Sequence, residues 1–285
     1  FSSRRRHTRY PLVTGVQTCA LPICLAIALI GLVDDWRPLP VAPRLLVQGG
    51  GVAAALWSVG PFVPVDLGVA RLELGAIAVV LVWLAGIWFV NLFNFMDGID
   101  GIASAEATFV ATLAGFLIGA HDPILAAGWW IVGGASAGLL LWCWPPARLF
   151  MGDVGSGFLG FVIMALLVWS LNAGVMNVPT ALVLVAPFAC DATITLCRRM
   201  LRGEPWYAGH RLHGYQHLAR RWGSHRRVTV AAMTVNILVV APAAVACAAH
   251  PESAPWVAAV AFAIISILVV RAGAGRADTD GKQRE

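Results

Sequence analysis

Carboxylate and amide side chains gather in three short segments of an otherwise apolar chain. Asp34 and Asp35 are adjacent in GLVDDW, and Asp153 follows a glycine in FMGDVGS. The third segment, NLFNFMDGIDGIA, carries polar side chains at a spacing of three, namely Asn91, Asn94, Asp97 and Asp100. Residues three apart share one face of a helix, so this spacing predicts a single polar stripe. Such oxygen ligands suit Mg²⁺, which proteins often share with substrate phosphates; a solvated loop or a helix cap is the alternative for each segment.

A basic segment, 198–228, supplies the complementary charge. It is rich in arginine and carries His210, His213 and His217, which would lie on one stripe if the segment were helical. Arginine and protonated histidine pair with phosphate oxygens, whereas a loop that only touches anionic lipid is the alternative. Carboxylates for a metal ion and a basic cradle for phosphates together predict phosphoryl transfer, in which the protein mainly positions groups and neutralises charge.

The elements that must position these segments are apolar helices. Of the 285 residues, 59% are hydrophobic and 12% are charged, about half the charged share of a soluble domain. This composition excludes a soluble globular enzyme and a disordered chain. It predicts an all-α, polytopic membrane protein, because backbone exposed to lipid must be hydrogen-bonded within helices. The apolar runs predict about nine transmembrane helices, at 25–33, 45–60, 73–92, 104–120, 124–143, 155–172, 179–197, 229–249 and 255–271.

The basic residues predict which side of the membrane each connection faces. After residue 24, all lysines and arginines except Arg71 fall in one alternating set of connections or, for Arg271, at the adjoining end of the last predicted span. That set comprises 34–44, 93–103, 144–154, 198–228 and the tail after 271. The positive-inside rule places the set in the cytoplasm, so we expect the carboxylate segments at the cytoplasmic face. Asp191 lies inside a predicted span, where an ionisable residue is a functional candidate by default.

The first 24 residues differ from the rest. No helical or strand periodicity is present in FSSRRRHTRYPLVTGVQTCALPIC, which resembles translated adapter sequence. We therefore expect 1–24 to be a non-native segment, 25–285 to be one integral membrane domain, and the native front to be truncated. Four arginines in this segment carry most of the net charge of +5, so the charge does not indicate nucleic-acid binding. Six cysteines without a CxxC pair predict neither disulfides nor a thiolate metal site.

Four segments together resemble the polyprenyl-phosphate N-acetylhexosamine-1-phosphate transferase family, glycosyltransferase family 4. They are GLVDDW at 31–36, NFMDGIDGIA at 94–103, FMGDVGS at 150–156 and HRLHGYQ at 210–216, in the family's order. The resemblance covers 25–285. It implies that an N-acetylhexosamine-1-phosphate passes from a UDP-sugar to undecaprenyl phosphate, with release of UMP, at the cytoplasmic face of a bacterial inner membrane. HRLHGYQ is more similar to the enzymes that initiate surface polysaccharides than to the muramoyl-pentapeptide enzymes.

The resemblance also implies roles for individual residues. The metal ligands, for Mg²⁺ or alternatively Mn²⁺, would be Asp153 and Asp97. The catalytic carboxylates would be Asp34, Asp35, Asp97 and Asp100, the first two beside the polyprenyl phosphate. The residues that bind the nucleotide-sugar would be Asn91, Asn94, His210, Arg211 and His213. The implied partners are UDP-N-acetylhexosamine, undecaprenyl phosphate and the lipid bilayer, without nucleic acid, and a homodimer is allowed.

Two other classes are alternatives. A CDP-alcohol-type lipid phosphotransferase also uses metal-binding aspartates, but its usual DGxxAR run is missing, because Ala105 and Glu106 follow MDGIDGIAS without an arginine. A membrane transporter commonly places acidic residues near the bilayer midplane and shows repeated halves. In this chain the carboxylates gather toward one predicted face and no internal repeat is apparent.

Overall fold

The computed structural model describes residues 10–59, 65–205 and 210–277. These residues are mostly helical, and the helices are α1 (Tyr10–Trp36), α2 (Val41–Val59), α3 (Ala76–Phe95), α4 (Ile102–Ile118), α5 (Pro123–Cys143), α6 (Gly152–Asn172), α7 (Val178–Leu184), α8 (Ala186–Leu201), α9 (Gly214–Trp222), α10 (His225–Val235), α11 (Ala241–Ala249) and α12 (Ala254–Ala272). A π-helix, Asn236–Val240, joins α10 to α11. One hairpin departs from the all-α prediction: β1 (Val65–Asp66) pairs with β2 (Arg71–Leu72).

Local sequence signals set several helix ends. The Asp122 carboxylate accepts hydrogen bonds from the amides of Ile124 (3.2 Å) and Leu125 (3.0 Å), which caps α5. Asn177 caps α7 in the same way through the amide of Thr180, at 2.9 Å. α12 ends at Ala272 and is followed by Gly273, whose φ of 107° lies in the left-handed region that glycine tolerates best. Side-chain caps and glycines therefore explain these boundaries without reference to distant contacts.

Five helical segments among the described residues are long and apolar enough to cross a membrane; they are Ala76–Phe95, Pro123–Cys143, Gly152–Asn172, His225–Ala249 and Ala254–Ala272. The pair α7 and α8, bent by 75°, would make a sixth. α4 has 17 residues, or about 26 Å of rise at 1.5 Å per residue, against a hydrocarbon core of about 30 Å. The chain is thus a multi-pass membrane protein, while nine spans and cytoplasmic connections are not confirmed.

The chain divides into two compact units. Unit 1 comprises the described parts of Phe1–Val65 with Leu72–Asn94 and Met151–Gly174. In it α1 packs on α2 and α6. Contact between α3 and α6 is close because Gly160 has no side chain: a Cβ there would lie 2.8 Å from the Cβ of Phe93. Small residues thus let the helix backbones of this unit approach one another.

Unit 2 comprises Asp66–Arg71, Phe95–Phe150 and the described parts of Val175–Glu285. Here α4 packs on α5, and α12 packs on α8 and on the short helix α9. The polar residue Asn236 is fully buried at the start of the π-helix, where its Nδ2 donates to Glu106 Oε2 at 2.6 Å. This pair joins α4 to the π-helix inside an apolar interior.

The predicted boundary at residue 24 falls within a continuous helix, since α1 begins at Tyr10. Residues 1–9 lie outside the described part of the chain. The non-native origin of 1–24, the truncated front and the single membrane domain over 25–285 stay predictions.

Candidate functional site

In unit 1, Asp34 lies near the end of α1 and pairs with an arginine from α2. Arg44 Nη1 lies 2.5 Å from Asp34 Oδ2, and the amide of Leu39 donates to Asp34 Oδ1 at 2.6 Å. Arg44 Nη2 also lies 3.6 Å from Asp153 Oδ2. A single guanidinium therefore bridges two of the carboxylates that the sequence singled out, and it positions both.

Asp35 has a different role from its neighbour. Its Oδ1 accepts from the amide of Asp153 at 3.0 Å, and its Oδ2 accepts from the amide of Val154 at 3.2 Å. Asp35 is thus the N-terminal cap of α6, supplied by a different helix, and its charge is favourable at that helix end. Gly152 makes room for it: a Cβ there would lie 2.6 Å from Asp35 Oδ2.

Asp153 is the centre of this cluster. Its carboxyl group lies beside the side chains of Asp34 and Asn94, and its side chain is 30% exposed. Asn91 lies one turn earlier on α3 but faces elsewhere, donating to Gln48 Oε1 at 2.7 Å and to the carbonyl of Ile87 at 2.8 Å. Of the two predicted asparagines, the structure brings Asn94 to the carboxylates and ties Asn91 to α2.

The donor chemistry of the cluster fits a hard cation only in part. No three His, Cys, Asp or Glu side chains form a metal group anywhere in the described ranges. Both oxygens of Asp35 accept from backbone amides, and those of Asp34 are bound to Leu39 and Arg44. Mg²⁺ is commonly held by one or two carboxylates together with substrate phosphates and water. Asp153, with Asn94 beside it, suits an ion that arrives with a phosphate ligand.

Unit 2 holds the remaining part of the DGIDG segment, and one prediction about it is wrong. α3 ends at Phe95, so Asp97 and Asp100 lie on the turn that follows it and do not continue a helical stripe from Asn94. Gly101, with a φ of 72° in the left-handed region, separates this turn from the start of α4.

Asp100 holds three segments of unit 2 together. Its Oδ2 accepts from the amide of Ala147 at 3.1 Å, and its Oδ1 lies 3.0 Å from His225 Nδ1. Its carbonyl oxygen accepts from Thr229 Oγ1 at 3.1 Å. Asp97, on the same turn, is half-buried. The contacts of Asp100 indicate that it shapes this turn.

The HRLHGYQ segment packs against the same turn. Tyr215 Oη donates to the carbonyl of Phe95 at 2.9 Å. Gly98 lies so close to Tyr215 that a Cβ at that position would overlap the hydroxyl oxygen. Burial raises the pKa of Tyr215, and the carboxylates of Asp191 and Asp97 raise it further, so its hydroxyl stays protonated and available as a donor.

The histidines do not form one helical stripe, because the condition for it, a helix that includes all three, is not met. α9 begins at Gly214, so His210 and His213 precede the helix and are not aligned on it with His217. His213 is 2% exposed, whereas His210 is half-buried and its ring lies 4.8 Å from that of His213. Arg211 is exposed, and its carbonyl accepts from Arg220 Nη1 at 2.8 Å.

His210 carries no charge at neutral pH. Burial lowers its pKa to about 4, and the nearby His213 and Arg199 contribute to this shift. The expectation that protonated histidine pairs with phosphate therefore does not apply to His210 at pH 7. A neutral imidazole can still donate one hydrogen bond to a phosphate oxygen.

Sequence reasoning assigned no role to two residues at these centres, Arg44 and His225, and it named Asp191 only as an ionisable residue inside a predicted span. Arg44 stands ten residues after Asp34, on a different helix, and no periodicity connects them. His225 is likewise remote in sequence from Asp100. Asp191 stands out in the sequence because it lies in an apolar segment, but its partner cannot be predicted from that position alone.

Comparison with known proteins agrees with the motifs. Residues 18–171 match the family model for glycosyl transferase family 4. The chain is 29% identical over 208 residues to the "probable undecaprenyl-phosphate N-acetylglucosaminyl 1-phosphate transferase" of Bacillus subtilis, covering 70% of the chain and 57% of the relative. It is 31% identical over 212 residues to the phospho-N-acetylmuramoyl-pentapeptide-transferase of Moorella thermoacetica, covering 66% and 65%. A Synechococcus protein of the latter name is 33% identical over 176 residues, covering 54% and 51%.

The chain therefore belongs to glycosyl transferase family 4, as its four motif segments predicted. It spans between about half and two thirds of the length of these curated relatives. The matched region includes Asp34, Asp35 and Asp153, and thus the whole carboxylate cluster of unit 1.

Proposed function

We propose that the chain transfers an N-acetylhexosamine-1-phosphate from a UDP-sugar to undecaprenyl phosphate, releasing UMP, at the cytoplasmic face of a bacterial inner membrane. The names of the curated relatives support this proposal, since they describe transfer to undecaprenyl phosphate or transfer of a phospho-sugar unit. The observation that carries it is the cluster of Asp34, Asp35 and Asp153 around Arg44 in unit 1.

In this proposal Asp153 would hold a Mg²⁺ ion, with Asn94 beside it and Mn²⁺ as a substitute. When bound, the ion would offset the negative charge of the phosphates. Asp34 and Arg44 orient Asp153, and Arg44 is the basic group that an incoming polyprenyl phosphate would meet. Asp35 fixes the first turn of α6 and so the position of Asp153.

The proposed reaction is one direct displacement. A phosphate oxygen of undecaprenyl phosphate attacks the phosphorus that carries the sugar. The bond from that phosphorus to the bridging oxygen breaks, and UMP leaves with this oxygen and the bonding electron pair. The phosphate nucleophile is already anionic at neutral pH, so it needs no base, and Arg44, held in place by Asp34, would orient it. The HRLHGYQ segment and Asp97 would bind the nucleotide-sugar, with N-acetylglucosamine or a deoxy relative as the preferred sugar.

The test is release of UMP in membranes containing the protein. A panel of UDP-N-acetylhexosamines is supplied with undecaprenyl phosphate, in Mg²⁺, in Mn²⁺ and with EDTA. We expect release that needs both substrates and stops with EDTA. No release with any sugar from folded protein would refute the proposed activity.

Asp153→Asn tests the cluster directly. Removing a metal-binding carboxylate should lower the rate by about a hundredfold or more, because several kcal/mol of charge stabilisation is lost. Asp66→Asn is the matched control, since Asp66 is a hairpin carboxylate paired with Arg71 at 3.4 Å. Full activity of Asp153→Asn would remove it from the proposed metal site.

A further inference from the structure

Asp191 is a buried carboxylate that the proposed reaction does not use. It lies on α8 and is 3% exposed, within a helix that belongs to the bent membrane pair. A charge in such a place is costly unless it is paired and hydrogen-bonded. The hydrogen-bond partners of Asp191 therefore show which part of the fold it stabilises.

The carboxylate caps α9 from outside that helix. Asp191 Oδ1 accepts from the amide of Gly214 at 2.9 Å, and Oδ2 accepts from the amide of Tyr215 at 3.2 Å. These are the first two residues of α9, whose amides lack partners within their own helix. Thr195, one turn along α8, donates its hydroxyl to Oδ1 at 3.2 Å. Both oxygens are satisfied, and the charge lies at the favourable end of the α9 dipole.

Gly214 is what permits this approach. A Cβ at Gly214 would lie 3.1 Å from Asp191 Oδ2, 3.2 Å from the Cβ of Ala272 and 3.2 Å from the carbonyl of Val269. The glycine of HRLHGYQ thus serves a close contact between α9 and the helices beneath it.

The same carboxylate faces His213. Nδ1 of His213 lies 3.4 Å from Asp191 Oδ1, and the two side chains are 3% and 5% exposed. Within the described residues Nδ1 makes no aligned hydrogen bond, although the amide of Gln216 also faces the ring in a capping-box arrangement. The full charge of the carboxylate outweighs the dipole of that amide and favours a hydrogen on Nδ1. A ring with its hydrogen on Nδ1 keeps its lone pair on Nε2.

Contacts between rings link His213 to His210. The His213 ring is nearly parallel to Tyr215, with centroids 5.7 Å apart and a 16° angle, and it stacks on Phe95 at 6.3 Å and 25°. It also meets the ring of His210, at 4.8 Å. His213 is thus held between aromatic rings, and His210 is the more exposed of the two histidines.

We propose that Asp191 is a positioning residue: it caps α9 and fixes the Nδ1–H tautomer of His213, and through His213 it places His210 for the nucleotide-sugar. The last part rests on the proposed function. The tautomer and the cap do not.

The first measurement uses the unaltered protein. Nitrogen-15 labelling of histidine, with long-range proton–nitrogen correlation in detergent micelles, reports which ring nitrogen of His213 carries hydrogen. The signals of His213 are identified by their loss in His213→Gln. We expect Nδ1–H at neutral pH. A hydrogen on Nε2 alone would overturn the proposal, and this result needs neither substrate nor any variant of Asp191.

The second measurement compares two variants, each of which removes the charge of an aspartate that caps a helix. Asp191→Asn should shift His213 away from the Nδ1–H tautomer and raise the KM for the UDP-sugar by about tenfold with a smaller change in kcat. Asp122→Asn is the matched control, because Asp122 also accepts from two amides at a helix start in unit 2, at α5 instead of α9. It should leave the tautomer and the KM unchanged.

These outcomes separate the two proposals. If the unaltered protein releases no UMP, the proposed function fails while the tautomer measurement still decides the role of Asp191. If UMP is released and Asp191→Asn retains the native KM and the native His213 spectrum, Asp191 does not position this segment.

Discussion

Gly31→Ala should lower the free energy of unfolding of unit 1 by more than its single added methyl group suggests. A Cβ at Gly31 would lie 2.5 Å from the carbonyl oxygen of Asp153 and 2.7 Å from the amide nitrogen of Val154. Ordinary contact begins at 3.4 Å, so α1 and the start of α6 would have to separate by about 0.9 Å. All the opposing atoms are backbone, and no flexible side chain can yield.

The energetic effect has two parts. Overpacking of this kind costs about 1–3 kcal/mol. The same separation stretches both hydrogen bonds from Asp35 to the first turn of α6, each worth roughly 0.5–1.5 kcal/mol, and less in this case because Asp35 is exposed. Together these effects amount to a loss of about 2–4 kcal/mol relative to a glycine-to-alanine change that meets no neighbour.

Gly50→Ala is that matched change. Gly50 also lies within a helix of unit 1, and a Cβ there would meet nothing within 4 Å. The intrinsic helix preference for alanine, about 0.5–1 kcal/mol, is common to both variants and cancels in the comparison. The assay is unfolding in mixed micelles with increasing SDS, followed by helical circular dichroism. Equal unfolding midpoints for Gly31→Ala and Gly50→Ala would refute the close packing of α1 on α6.

Three further predictions concern other sites. Asp35→Ala should lower the free energy of unfolding by about 1–2 kcal/mol through loss of the cap, and Asp35→Asn should lower it by less. If neither variant loses stability in the SDS assay, the cap contributes nothing. His210 should titrate near pH 4 by NMR. Because its folded pKa lies below the unfolded value of about 6.5, the fold should lose stability as pH falls from about 6.5 to 4, and His210→Gln should remove that dependence. A titration of His210 above pH 6 would contradict burial as the cause of the lowered pKa. Glu106→Gln should stabilise the protein by about 1 kcal/mol. Glu106 Oε1 and Asn236 Oδ1 are buried acceptors without donors among the described residues, and a glutamine amide supplies a donor. A lower melting temperature of Glu106→Gln would contradict this prediction.

The helical segments were predictable because local signals define them. The span predicted at 124–143 agrees closely with Pro123–Cys143, where Asp122 and Pro123 mark the start. The span predicted at 179–197 is instead a bent pair, α7 and α8. Pro187, in the first turn of α8, explains the break, since proline lacks the amide hydrogen and its ring clashes with the preceding turn.

The candidate site was predictable in composition but only in part in arrangement. The motif segments named Asp34, Asp35 and Asp153, and the structure brings these three together. The cap that Asp35 provides for α6 joins residues 118 positions apart, a separation that no local pattern encodes. The stripe through Asp97 failed because α3 ends at Phe95, two residues before Asp97.

The discontinuous make-up of unit 1 sets an order of events during synthesis. α1 belongs to the same unit as α6, yet α4 and α5, which lie between them in the chain, belong to unit 2. A ribosome working at about 5–20 residues per second needs on the order of ten seconds to pass from the end of α1 to α6. Throughout that interval Asp35 has no helix to cap, and Gly31 of α1 has no partner from α6. Unit 1 therefore completes its packing only after the α4–α5 hairpin has been made, so a nascent chain halted before residue 152 would hold the first two carboxylates of the cluster without the third.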